Sequence, residues 1–202
     1  MSFESFVILN HLPNTGFTCR KGVASDVVND NNNRVNLNLD TFSGIFGFHN
    51  INGIKSDTAR FRSIVEWNKN RNIDVMGLAE TNINKTCGLH YNNLISDLKY
   101  KGIWSECANK VKGSGVALLI NDIWAKRLGK IDSPSPYILN ALFYFKGVTF
   151  TIIVIYFPPS DKRIQKDILE YCKSYLKKED KTKNSTNHMI FLGDFNSVRY
   201  GR

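Results

Sequence analysis

The residues best suited to chemistry in this 202-residue chain stand at the ends of four apolar runs. Side chains two apart on a strand share a face, so each run can be followed to the point where that face turns polar. Phe46 and Phe48 lead on to Asn50 and Asn52, and Met76 and Leu78 lead to Glu80. Ile152 and Val154 lead to Tyr156, and Ile190 and Leu192 lead to Asp194 and Asn196. The change comes each time at the C-terminal end of the run, where α/β sheets usually place ligands. Two carboxylates, three carboxamides and a phenol result. Hard oxygen donors of this kind suit Mg²⁺ or Mn²⁺, which bind through one or two carboxylates together with phosphate oxygens. The amides and the phenol can donate hydrogen bonds to a phosphate without adding charge. No serine or cysteine nucleophile with a histidine base is evident, so the chemistry implied is metal-assisted attack of water on a phosphoester. Taken singly, each residue also fits a cap or a turn, Asn52-Gly53 above all. The joint placement at four strand ends favours the chemical reading.

The elements that must hold these residues alternate between strand and helix patterns from Thr41 onward. A strand is expected through Ile45–Phe48, followed by a helix capped at Ser56 or Asp57 with Phe61, Ile64 and Val65 on one face. The apolar run Ile73–Ala79 reads as a buried strand, and two strands joined by such a helix pair in parallel. Tyr91, Leu94, Ile95 and Leu98 mark a second amphipathic helix. Strands follow near 102–107, 114–120, 137–145 and 148–157, the last two joined by a turn at Lys146-Gly147. Ile164, Ile168, Cys172, Tyr175 and Leu176 mark a third helix, entered at Ser160 or Asp161, before a last strand at Met189–Leu192. Hairpins between crossover helices predict a layered α/β protein. Residues 1–40 contain the run Asn29–Asn33 and lack apolar periodicity, so they read as a disordered Asn-rich extension.

Composition narrows the classes of function. A 42% apolar and 12% aromatic content builds a core and excludes wholesale disorder. The net charge of +9 points to a polyanionic partner, nucleic acid first. No stretch reaches the roughly 18 apolar residues of a membrane span. The N-terminus is a poor secretory signal, and the four cysteines, at 19, 87, 107 and 172, contain no CxxC. Neither a zinc site nor a disulfide scaffold is expected, and an intracellular setting, nucleus or cytoplasm, follows. Trp67, Trp104 and Trp124 read as core residues ahead of stacking platforms for bases.

Five stretches in order, FHNINGI (48–54), IDVMGLAET (73–81), GSGVALLI (113–120), IIVIYFPPS (152–160) and MIFLGDFNS (189–197), resemble the endonuclease/exonuclease/phosphatase family. That family includes deoxyribonuclease I, the apurinic-site endonucleases and the LINE-type retrotransposon endonucleases, the last two being nearest. The resemblance implies a layered β-sandwich with flanking helices, spanning 41–202 as the N-terminal two thirds of the family domain. It implies that Glu80 binds the metal, with Asn50 and Asn52 ordering the metal site. It further implies that Tyr156 contacts the scissile phosphate, that Asp194 orients or deprotonates the attacking water, and that Asn196 positions the phosphate. The cofactor implied is Mg²⁺ or Mn²⁺ and the partner nucleic acid, DNA in the first instance; the sequence is silent on oligomeric state.

One departure from the family qualifies that expectation. The family carries an aspartate–histidine pair after the GDFN strand, whereas here Arg202 follows Asn196 by six residues and none of the four histidines takes that position. A missing acid/base group costs on the order of 10²–10⁴ in rate. The expectation is therefore a metal-dependent phosphodiesterase of endonuclease type that is weak or inactive. The alternatives are a non-catalytic nucleic-acid-binding remnant and a lipid or inositol phosphate hydrolase of the same family.

Overall fold

The computed structural model describes residues 6–9, 44–105, 113–146, 148–180 and 187–196. In chain order the elements are β1 (Phe6–Leu9), β2 (Phe46–Asn50), α1 (Thr58–Asn70), β3 (Val75–Ala79), α2 (Lys85–Leu94) with a 3₁₀ turn at Ser96–Leu98, and β4 (Tyr100–Trp104). Then come β5 (Val116–Asn121), α3 (Asp122–Ala125), β6 (Leu128–Ser135), β7 (Ile138–Phe145), β8 (Val148–Tyr156), α4 (Lys162–Asp180) and β9 (Asn187–Asp194).

The strands form two sheets, ordered β2-β3-β5-β4 and β1-β9-β8-β7-β6. Each contains one parallel pair made by a crossover helix: β2 with β3 around α1, and β8 with β9 around α4. The remaining pairs are antiparallel, so both sheets are mixed. The sheets pack face to face through Phe48, Val75, Leu118, Phe143, Ile152 and Leu192. Helices cover the outer faces. Phe61 and Val65 of α1 and Tyr91 of α2 seal Met76, Leu78 and Leu119 on one side, and Ile168 of α4 meets Ile153 and Phe191 on the other. The result is four layers, helix–sheet–sheet–helix. It explains why β3 is buried along its whole length, since helices lie on one face and a second sheet on the other.

Local chemistry sets the element boundaries. The Asp57 side chain caps α1 by accepting from Arg60 N, and Asn84 caps α2 in the same way through Cys87 N. Asp161 accepts from the backbone N–H of Arg163 and Ile164 at the start of α4. Three elements escaped the sequence reading. Residues 128–135 of β6 are mostly exposed and carry Pro134, which suits an edge strand but gives no alternation to read. The helix α3 is a single turn capped by Asn121. The third, β1, lies within residues 1–40. Phe6–Leu9 pair antiparallel with Ile190–Gly193, because FVIL is apolar and β-prone and β9 has an open edge to satisfy. The Asn29–Asn33 run lies outside the described residues.

Trp124 lies between the sheets and Trp104 under α1 and α2, both nearly inaccessible, as core residues. Trp67 is the exception, exposed on α1 with the Arg71 guanidinium 4.2 Å from its ring centre. Cys87 and Cys172 are free thiols, and burial pushes the Cys172 thiol up to about 11; Cys19 and Cys107 lie outside the described residues. No helix among the described residues is long and apolar enough to cross a membrane.

Candidate active site

The two parallel strand pairs deliver their C-terminal ends to the same edge of the sandwich. Asn50 ends β2 in register with Ala79 of β3, and Tyr156 ends β8 in register with Asp194 of β9. Between them, one side-chain nitrogen joins the two halves. Asn50 Nδ2 donates to Glu80 Oε1 at 2.8 Å and to Asp194 Oδ2 at 3.1 Å. The β2–β3 pairing sets Asn50 beside Glu80, and the packing of one sheet on the other brings Asp194 to them.

Each partner is held by a second contact. Asn50 Oδ1 accepts from Asn52 N at 3.1 Å, which fixes the carboxamide with its nitrogen toward the carboxylates. Asp194 Oδ1 accepts from Asn196 N at 3.1 Å. The Tyr156 phenol faces the Glu80 carboxylate, while its ring stacks on Tyr137 with centroids 6.4 Å apart. Burial, and then the carboxylates of Glu80 and Asp194, hold the Tyr156 phenol well above its ordinary value of 10. It is therefore a donor at any working pH.

Glu80 arrives by a route that strand alternation misses. Met76 and Leu78 share its parity but pack under the helices, whereas Val75 and Ala79 face the other sheet. Continued alternation would send Glu80 to the helix side, away from Asn50. A left-handed backbone at Glu80, φ +53°, breaks the alternation and returns the carboxylate to the inner edge. A shared strand face therefore does not account for Glu80 standing beside Asn50; the left-handed backbone does.

Two of the carboxamides are placed differently from the expectation. Asn52 lies beyond β2 with φ +46°, followed by Gly53 at φ +84°, so the Asn-Gly pair is a turn in left-handed backbone. Its exposed side chain lines an open cleft of about 320 Å³ together with Lys55, Ser56, Asp57 and Asn82. Asn196 lies past the end of β9, and its Nδ2 donates to Phe157 O at 2.7 Å, so one of its two N–H groups is committed to backbone. Asp194 and Asn196 thus meet through a main-chain N–H and not through side chains aligned on one strand face, because the strand ends between them.

Sequence reasoning also left out Asn82 and Tyr137. Asn82 sits two residues past Glu80 and bonds the chain at Gly113 and Ser114. The only hint was the GSG stretch ahead of β5, which marks a tight approach without naming its partner.

As a donor set, Glu80 and Asp194 bring hard carboxylate oxygens to one point, bridged by the single neutral donor Asn50 Nδ2. This fits a divalent cation of the Mg²⁺ type, which needs one or two carboxylates and takes its other ligands from water and phosphate. It does not fit a closed, protein-saturated site, and no cluster of three or more His, Cys, Asp or Glu exists among the described residues. The described histidines stand elsewhere. His188 stacks on Phe150 near the start of β9, about 20 Å along the strand from Asp194 at a strand's rise per residue. His49 lies on the opposite face of β2 from Asn50, where burial and then Arg60 push it below its ordinary value. His90 is on α2 beside Tyr91.

No family model matches the sequence. No curated protein matches it either. Solved structures do match. Mannosyl-6-phosphatase from Bacteroides thetaiotaomicron superposes with a TM-score of 0.55 at 17% identity, over 79% of this chain and 68% of that one. An endonuclease/exonuclease/phosphatase family protein from the same organism gives 0.53 at 15% identity, over 77% and 64%. A truncated TDP2 from Caenorhabditis elegans gives 0.54 at 17% identity, over 75% and 61%. At these identities the likeness is one of fold. The architecture is that of endonuclease/exonuclease/phosphatase structures, a deoxyribonuclease I-like sandwich, and the chain spans 44% of the length of a longer C. elegans TDP2 structure.

Proposed function

We propose that this chain is a divalent-metal-dependent phosphoesterase of the endonuclease/exonuclease/phosphatase family that acts on nucleic acid, DNA in the first instance. The observation that supports this most is the carboxylate pair Glu80 and Asp194 held 2.8 and 3.1 Å from Asn50 Nδ2, at the C-terminal ends of two parallel strand pairs. The net charge of +9 and Lys55 in the adjoining cleft favour a polyanion over a neutral substrate.

In this reading Glu80 holds the cation, Mg²⁺ or Mn²⁺, with Asn50 and Asn52 beside it. The cation, when bound, supplies positive charge against the negative charge that grows on the phosphate. Asp194, oriented by Asn50 Nδ2 and Asn196 N, accepts a proton from the attacking water. Tyr156, retaining its own proton, donates to a phosphate oxygen. Asn196 braces the Phe157 carbonyl and keeps the loop after β8 against Asp194.

The test is a substrate panel with Mg²⁺ and with chelator: supercoiled plasmid, single-stranded oligonucleotide, a sugar phosphomonoester and an inositol phosphate. Slow, chelator-sensitive cleavage of the nucleic acids that is lost in Glu80→Ala supports the reading. Preferential release of phosphate from the monoesters moves the substrate class to small phosphates. Salt-sensitive DNA binding with no cleavage under any metal would overturn the enzyme and leave a binding protein.

A further inference from the structure

We propose that Asn82 is a positioning residue for the cation site, acting through Glu80; the proposal rests on the assignment of Glu80 as the metal-binding carboxylate. Three loops converge where β3 ends, and the Asn82 side chain touches all of them. Its Oδ1 accepts from Gly113 N at 2.8 Å and from Ser114 N at 3.2 Å. The main-chain N–H of Asn82 adds a bond to Ser114 O at 2.9 Å. Its Nδ2 lies so close to Gly53 that a Cβ there would stand 2.5 Å away. Gly53 N in turn donates to Glu80 O at 2.6 Å, and Gly113 is the residue whose added Cβ would find a Glu80 carboxylate oxygen, Oε2, as its nearest neighbour at 4.0 Å. One carboxamide therefore ties the backbone at Gly113 and Ser114, beside the Glu80 carboxylate, to the segment just after Glu80, and lies against the turn that follows Asn50.

The pin is needed because the backbone around Glu80 is unfavourable. Glu80 at φ +53° and Asn82 at φ +55° are both left-handed, a conformation that asparagine tolerates but that persists at glutamate only where the surroundings enforce it. Released, residue 80 would return toward extended backbone and its carboxylate would rotate toward the helix layer, out of reach of Asn50. Hydrogen-bond partners of a metal ligand typically change affinity by about 10- to 100-fold when removed. Asn82 is one step further out, so the lower end applies.

Two substitutions separate the brace from the backbone. Asn82→Gly accepts the left-handed conformation at no steric cost but lacks the oxygen. Asn82→Asp keeps both the conformation and an acceptor for the two N–H groups. Mn²⁺ binding to the full chain, read by the paramagnetic resonance of free ion, measures the site without any turnover, and Glu80→Gln reports whether that carboxylate binds the ion at all. The expected result is Mn²⁺ affinity about tenfold weaker in Asn82→Gly, with affinity at least equal to the parent in Asn82→Asp. Affinity unchanged in Asn82→Gly, or lost equally in both variants, overturns the positioning role while leaving Glu80 as a ligand. Mn²⁺ binding that is absent from the parent, or indifferent to Glu80→Gln, overturns the metal assignment itself and the proposal with it.

Discussion

At the residue scale the site works by pairing groups of opposite hydrogen-bonding character. Two acceptor-only carboxylates would repel if left adjacent, and Asn50 Nδ2 and the Tyr156 hydroxyl are the neutral donors placed against them. Under the proposed function a cation would complete that compensation. Tyr156 gives a test with a sign. Its pKa is raised above 10 by burial first and the carboxylates second, so it holds its proton through the neutral and mildly alkaline range. Tyr156→Phe should lower the rate about 10²-fold while leaving the shape of the pH–rate profile unchanged up to about pH 10. A profile whose alkaline limb disappears in the variant would mean that Tyr156 titrates in catalysis. The residue identities were legible in the sequence, because polar residues that end apolar runs are visible there. The commitment of an Asn196 N–H to Phe157 was not, since it depends on where β9 stops.

At the scale of elements, the strand ends are shaped by left-handed residues that sequence patterns do not reveal. Asn52, Gly53, Glu80, Asn82, Gly113 and Gly115 all have positive φ. They lie where β2, β3 and β5 leave or enter one sheet. Gly115 is the tightest of them: φ is +83°, and a Cβ would stand 2.4 Å from Thr81 Oγ1 and 3.3 Å from Ile83 O. Gly115→Ala should therefore destabilise the fold by about 1–3 kcal/mol, read as a lower urea midpoint with an unchanged slope. Because Thr81 N donates to Gly115 O beside Glu80, the same variant should weaken Mn²⁺ binding. A midpoint within error of the parent would show that the loop relaxes without strain. The helices were easier to foresee, as Phe61, Val65 and Ile168 recur at helical spacing and Asp57 and Asp161 are caps in the expected places.

At the scale of the whole molecule, four buried or half-buried tyrosines make the fold sensitive to high pH. Tyr100 is pushed up to about 12 by burial and by Asp74, and Tyr91, Tyr156 and Tyr171 are also raised, burial being the largest cause in each. Between about pH 10 and 12 the unfolded chain releases these protons while the folded chain keeps them, so stability falls as pH rises through that window and is unaffected below it. The urea midpoint should drop between pH 8 and pH 11. Tyr100→Phe should start lower, having lost its bond to Ile73 O, and fall less steeply. An equal midpoint at both pH values would contradict the burial of these phenols. The same scale divides what the chain's sequence determines from what only its packing decides. Periodicity, caps and the polar endings of apolar runs are local properties, and they fix the helices, most strands and the six residues at the strand ends. Which sheet each strand joins, that two βαβ units deposit their ends on one edge, and that Glu80 turns back against its own strand's alternation depend on contacts between distant segments, Asn50 with Asp194 and Phe6 with Gly193 among them. Such contacts exist only when one sheet covers the other, since the burial that stabilises them belongs to both sheets and to neither strand alone.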